Sequence, residues 1–73
     1  MTNKHSNYLL DIGSLIKEKA DEAKNSGGDD DYEVGYRMAL YEVISLMHQQ
    51  AEAFNIDLKD INLDGIDPER DYL

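Results

Sequence analysis

Seventy-three residues carry sixteen Asp/Glu against seven Lys/Arg, a net charge of −9, with no cysteine and no tryptophan. A chain this short holds one hydrophobic core at most, and without cysteine it has neither the disulfides nor the thiolate metal sites that stiffen many small folds. The acidic balance disfavours direct contact with nucleic acid or anionic lipid, since both select basic surfaces. The opening stretch MTNKHSNYLLDIGSLI contains no apolar run of signal-peptide or membrane-spanning length, because Asp11, Gly13 and Ser14 interrupt it. A cytoplasmic location with no membrane partner is the expectation.

The first helix is predicted over about 7–25, with Ser6 or Asn7 as its N-cap. Tyr8, Ile12, Leu15, Ile16 and Ala23 recur at helical spacing, with Leu9 and Ala20 beside them and Leu10 nearly opposite. Gly13 interrupts this helix at a cost of about 1 kcal/mol relative to Ala. It marks either a close backbone approach or a tolerated surface position. The segment 26–31 then breaks the helix with two glycines and three aspartates. Asp30 and Glu33, three apart, read as a capping pair for the next helix, whose N-terminal dipole their charge also complements.

The second helix is predicted over about 31–54. Tyr36, Leu40, Val43, Met47 and Phe54 alternate at four and three, with Gln50 interrupting, and Ala39, Ile44, Leu46 and Ala51 flank that seam. At 100° per residue the apolar arc covers roughly half the circumference, more than the ~100° that one neighbouring helix requires. Val34, Met38 and Tyr41 fall on the otherwise polar side, where Tyr41 offers a patch for a partner. One antiparallel helix cannot cover this arc. Either two hairpins pair through it as a homodimer with four helices, or the tail folds back as a lid; the small core favours the dimer. Its interface would draw on Tyr36, Leu40, Val43, Ile44, Met47, Ala51 and Phe54, with Tyr41 for the second subunit or another partner.

The tail, 55–73, spaces Ile56, Leu58, Ile61, Leu63 and Ile66 among acids. Asp67 and Pro68 read as N-cap and first residue of a single helical turn. The fold class expected is therefore all-α: an antiparallel hairpin with a mostly irregular acidic tail.

Within that tail, Asp60, Asn62, Asp64 and Gly65, with Asp71 at the twelfth place, form the sharpest local pattern. It resembles the calcium loop of EF-hand and dockerin modules, in which oxygen ligands surround a sharp glycine turn. That resemblance implies Asp60, Asn62, Asp64 and Asp71 as metal ligands. The sequence departs from the family pattern with Asp67 at place eight, Pro68 at place nine and no exiting helix. The competing assignment makes Asp64-Gly65 a turn and Asp67 a cap. His48 and Glu52, four apart on the second helix, have the spacing of a chelating pair but lack a third ligand.

For catalysis there is no cysteine nucleophile, GxSxG elbow, phosphate loop or dinucleotide fingerprint, and no cofactor is implied. Gly27-Gly28 precedes a helix, yet the aspartates that follow would repel phosphate. The sequence therefore points to a non-enzymatic interaction or regulatory module acting on a basic-surfaced macromolecule, with calcium binding at 60–71 as the alternative. Charge refines this picture: residues 1–25 are neutral, 26–36 carry −4, 37–54 carry −1 and 55–73 carry −4. An extended tail would hold the two acidic clusters about 34 Å apart at opposite ends of the second helix. In an antiparallel dimer they would then face one another, so a parallel pairing is expected.

Overall fold

The computed structural model describes residues 3–73. Two long helices, α1 (Lys4–Ser26) and α2 (Asp31–Ala53), are followed by a 3-10 turn at Leu58–Ile61 and a short α3 at Pro68–Tyr72. The described residues contain no strand. The two long helices pack as a hairpin, as expected, over an outline of 45 × 20 × 17 Å.

Each helix end has a local chemical cause. Asn3 caps α1: its side-chain oxygen accepts from the backbone N–H of His5 at 2.9 Å and of Ser6 at 3.3 Å. The helix thus begins one turn earlier than Ser6 or Asn7 would have started it, and those two residues lie exposed inside its first turns. Gly27, at φ 66°, closes α1 in the left-handed region where a side chain is disfavoured. Asp30 caps α2 by accepting from the Glu33 N–H at 2.9 Å, as the Asp-x-x-Glu spacing predicts. The Arg37 guanidinium donates to the Gly28 carbonyl at 3.2 Å and ties the acidic loop to α2.

Two asparagines then turn the chain back. Asn55 takes φ 56°, its N–H donates to the Glu52 carbonyl at 3.2 Å, and the Ile56 N–H donates to the Ala51 carbonyl at 2.8 Å. This is the paired hydrogen bonding that stops a helix on a left-handed residue. Asn62 repeats it at φ 57°, with Leu63 N–H on the Leu58 carbonyl at 3.0 Å and Asn62 N–H on Lys59 at 3.3 Å. Asparagine serves here because its short polar side chain tolerates that region better than other non-glycine residues.

The reversal makes the tail a third layer. The 3-10 turn packs on α1, and α3 packs on α2. Leu63 from the tail and Ile44 from α2 are the two large side chains completely removed from solvent, both at 0 % exposure. Leu63 and Ile61 cluster with Ala51, and Met47, Leu58 and Ile66 close around them. The tail is therefore irregular with short helical turns pinned by Ile and Leu, and it covers the hairpin as the lid expected in the alternative to pairing.

Small residues let this happen. Gly13, Ala20 and Ala23 are the buried positions of α1. A Cβ built on Gly13 would overlap the Ile61 carbonyl oxygen and come within 2.9 Å of the carbonyl carbon. Gly13 thus marks a close backbone approach, and the tail is what approaches. Gly13→Ala is expected to lower stability by about 1–3 kcal/mol through this overlap, although alanine by itself favours a helix by about 1 kcal/mol. Urea denaturation checks the sign. A more stable Gly13→Ala protein would mean that the tail does not press on α1.

Candidate interaction surface

Docking of the tail decides where every notable side chain lies. At one end of the tail, the Asn62 side-chain amide donates to the Leu10 carbonyl of α1 at 3.2 Å. At the other end, the Tyr72 hydroxyl donates to Asp21 Oδ1 at 2.6 Å, and the Lys24 ammonium lies 6.0 Å from the Tyr72 ring centroid. Burial, reinforced by the Asp21 carboxylate as hydrogen-bond acceptor, pushes the Tyr72 phenol well above its ordinary value of 10. Asp67 caps α3 by accepting from the N–H groups of Glu69 and Arg70, with Pro68 next in line, as predicted. The Arg70 guanidinium donates to both Asp71 carboxylate oxygens at 2.9 Å, and the Asp67 N–H donates to one of them at 3.0 Å. The Arg70 hydrogen bonds come first among the causes that hold the Asp71 carboxyl at about 2.

Two of the four expected calcium ligands have other partners in this arrangement. The Asn62 side chain is turned to Leu10, and Asp71 is occupied by Arg70 and by the first turn of α3. Among the described residues no three His, Asp or Glu side chains converge on a common point. Asp60 belongs to the 3-10 turn, while Gly65, at φ 75°, makes the turn of the competing assignment. His48 departs from the polar-face expectation. It is half-buried, and its Nε2 is enclosed without a hydrogen-bond partner, while Glu52 stays exposed.

The predicted interface residues divide into two sets. Ile44 and Ala51 are buried within the single chain, and Leu40, Tyr41 and Met47 are half-buried. None of the five is an open contact surface, and Tyr41 in particular does not form the exposed patch with Val34 and Met38. Tyr36, Val43 and Phe54 remain exposed, joined by Tyr32 at 79 % and Leu46 at 56 %. The cause is rotational. With Ile44 taken as the inward direction, Leu40, Arg37 and Ala51 fall within about 40° of it, whereas Tyr36, Val43, Leu46 and Phe54 fall about 80–160° away on one flank.

On α1 the same geometry sends Tyr8 and Leu15 outward, away from Gly13 and Ala20. Glu22, Ala23 and Ser26 border one shallow cleft with Tyr32 and Tyr36, whose rings stack at 6.3 Å. Leu9 borders another, of about 140 Å³, with Met47, Gln50, Phe54 and Ile56. Ala51 and Ile61 also line the second cleft, so the tail borders it, and Tyr8 lines a separate groove with Leu10, Asp11 and Asn62. The feature missed in the sequence is a second four-three seam, Tyr32, Tyr36, Ala39, Val43, Leu46, Gln50 and Ala53, displaced from the buried one; its strict heptad spacing was there to be read.

Two outcomes test this geometry. The Tyr72–Asp21 bond contributes fully below the unfolded phenol value of about 10 and fades as pH rises through the raised folded value. Tyr72→Phe is expected to lose about 1 kcal/mol at neutral pH and the delayed phenolate titration seen by ultraviolet absorbance. Millimolar calcium is expected to leave the Asp60, Asp64, Gly65 and Asp71 amide resonances in place, whereas their joint movement in NMR spectra would restore the ligand set. No helix among the described residues is long and apolar enough to cross a membrane. No family model, no curated protein and no solved structure matches this chain.

Proposed function

We propose that the chain is a small non-enzymatic interaction module that dimerises through its second helix and presents an acidic end to a basic-surfaced macromolecule. One observation carries the reading. Because α3 docks beside Asp21 and Lys24, the tail acids Asp67, Glu69 and Asp71 return toward the loop that holds Asp29, Asp30, Asp31 and Glu33. This part of the tail cluster therefore lies toward the loop end, while Asp57 and Asp60 stay with the 3-10 turn beside the N-terminal half of α1. A concentration of one sign of charge raises association rates with oppositely charged surfaces and repels like-charged ones. Asp71 is paired with Arg70, so Asp67 and Glu69 supply the net negative charge of α3.

Affinity capture with the immobilised full chain tests the reading. A basic protein is expected to be retained at low salt, eluted as ionic strength rises, and retained at least about fivefold less by a protein carrying Asp29→Asn, Asp31→Asn and Glu69→Gln. Retention indifferent to both salt and these substitutions would overturn the acidic end as the binding surface.

A further inference from the structure

Where the acidic loop joins the two long helices, Tyr32, Tyr36, Glu22 and Glu33 border a cleft of about 210 Å³. The two tyrosine rings are nearly parallel, at 8°, with centroids 6.3 Å apart, and form one aromatic wall. Tyr32 is 79 % exposed and Tyr36 40 %. The face of such a ring carries the negative lobe of a quadrupole, which attracts cations. Glu22 is exposed and Glu33 half-buried, and among the described residues neither pairs with a lysine, arginine or histidine. A side chain at position 28 would fall on the Glu33 carboxylate, so Gly28 leaves that group its place. No cationic side chain borders the cleft. Lys17, Lys24 and Arg37, on the same two helices, are engaged with Asp21, the Tyr72 ring and the Gly28 carbonyl. The N-terminus of α2 brings a positive dipole end worth about half a charge, which the adjoining α1 C-terminus offsets and the carboxylates of 29–31 exceed.

We propose that this cleft receives an arginine side chain of a basic protein partner, its guanidinium stacked on the Tyr32–Tyr36 wall and its charge met by Glu22 and Glu33. Arginine suits the cleft better than lysine. Its planar guanidinium stacks on an aromatic face, offers several donors to carboxylates, and sheds water more readily than an ammonium group. The chain already holds one cation over a tyrosine nearby, with the Lys24 ammonium, two residues beyond Glu22, 6.0 Å from the Tyr72 ring centroid. The inference rests on the acidic-end reading above and gives it a point of attachment. The aspartates of the loop draw a basic surface in, and the tyrosines select the side chain that docks. Phosphate- or carboxylate-bearing ligands are repelled by the same charges.

NMR titration of the full chain at low salt tests the site, with glycine-based peptide amides that carry either two arginines or two lysines. The arginine peptide is expected to shift the Tyr32 and Tyr36 ring resonances. Its own side-chain methylene protons are expected to move upfield under the ring current, which diffuse charge attraction does not produce. The lysine peptide is expected to bind at least about threefold more weakly. Tyr32→Leu combined with Tyr36→Leu is expected to weaken the arginine peptide about fivefold and to remove the upfield shift. Tyr8→Leu, at an exposed tyrosine outside the cleft, is expected to change neither. Glu22→Gln is expected to weaken binding about twofold, and it leaves the aromatic wall intact. Circular dichroism is expected to show the wild-type helix content in every variant. Equal binding of both peptides, unaltered by the tyrosine substitutions, would overturn the cleft and leave the acidic end standing. Unmoved Tyr32 and Tyr36 resonances with either peptide at about 10 mM would also overturn the cleft. Capture of a basic protein by the full chain then decides the acidic end separately.

Discussion

The Ile61 backbone lies directly against Gly13 of α1, and the rest of the architecture follows from that approach. A chain this small cannot fill a core with two helices, so the apolar residues of the tail must reach the hairpin. They reach it only where α1 presents no side chain. Once the 3-10 turn lies on Gly13, Leu63 and Ile61 become the most deeply inserted part of the tail, each burial stabilising by about 1.5–3 kcal/mol. The glycine's cost within α1 is small beside that return. Polar contacts at the two ends of the tail, Asn62 to Leu10 and Tyr72 to Asp21, fix the register in which it lies.

This docking also explains the rotation of both long helices. Had the hairpin been the whole fold, the most hydrophobic stripe of α2 would have faced α1. With a third layer on one side, α1 turns the small residues Gly13 and Ala20 inward, and α2 turns Ile44 and the small Ala51 inward, so that three layers can meet. The displaced large residues, Tyr36, Val43 and Leu46 on α2 and Tyr8 and Leu15 on α1, are left exposed. An apolar arc too wide for one neighbour is thereby split between an internal layer and an open face. The tail acts as the lid for one part of that arc and leaves another part exposed.

Charge is redistributed by the same fold. The loop and the tail each carry a net charge of −4 as separate clusters along the chain, yet the turns at Asn55 and Asn62 bring Asp67, Glu69 and Asp71 back toward the loop. The Arg70–Asp71 pair and the Asp67 cap use part of that acidity for local structure. The same contacts engage part of the pattern that has the spacing of a cation loop. A ligand loop needs its side chains free to converge, and here Asn62 and Asp71 are each held by a neighbour.

Much of the local structure was legible in the residues. Asp30 with Glu33, Asp67 with Pro68 and the breaker at Gly27 each act within one turn, so their chemistry is complete in a short stretch of chain. The existence and length of both long helices follow from periodicity in the same way, and so does the surplus of apolar surface on α2. What only the tertiary structure decided is the direction in which that surplus points. Leu40, Val43, Ile44 and Leu46 are equally apolar on paper, and the choice of which is buried belongs to whatever else packs on the helix. Here the choice rests on a contact between Gly13 and Ile61, far apart in sequence, and on two asparagines whose left-handed turns bring that contact about. Net charge, cap chemistry and helical period are sums over neighbours along the chain; the buried face, the place of the acids and the open seam are set by neighbours in space.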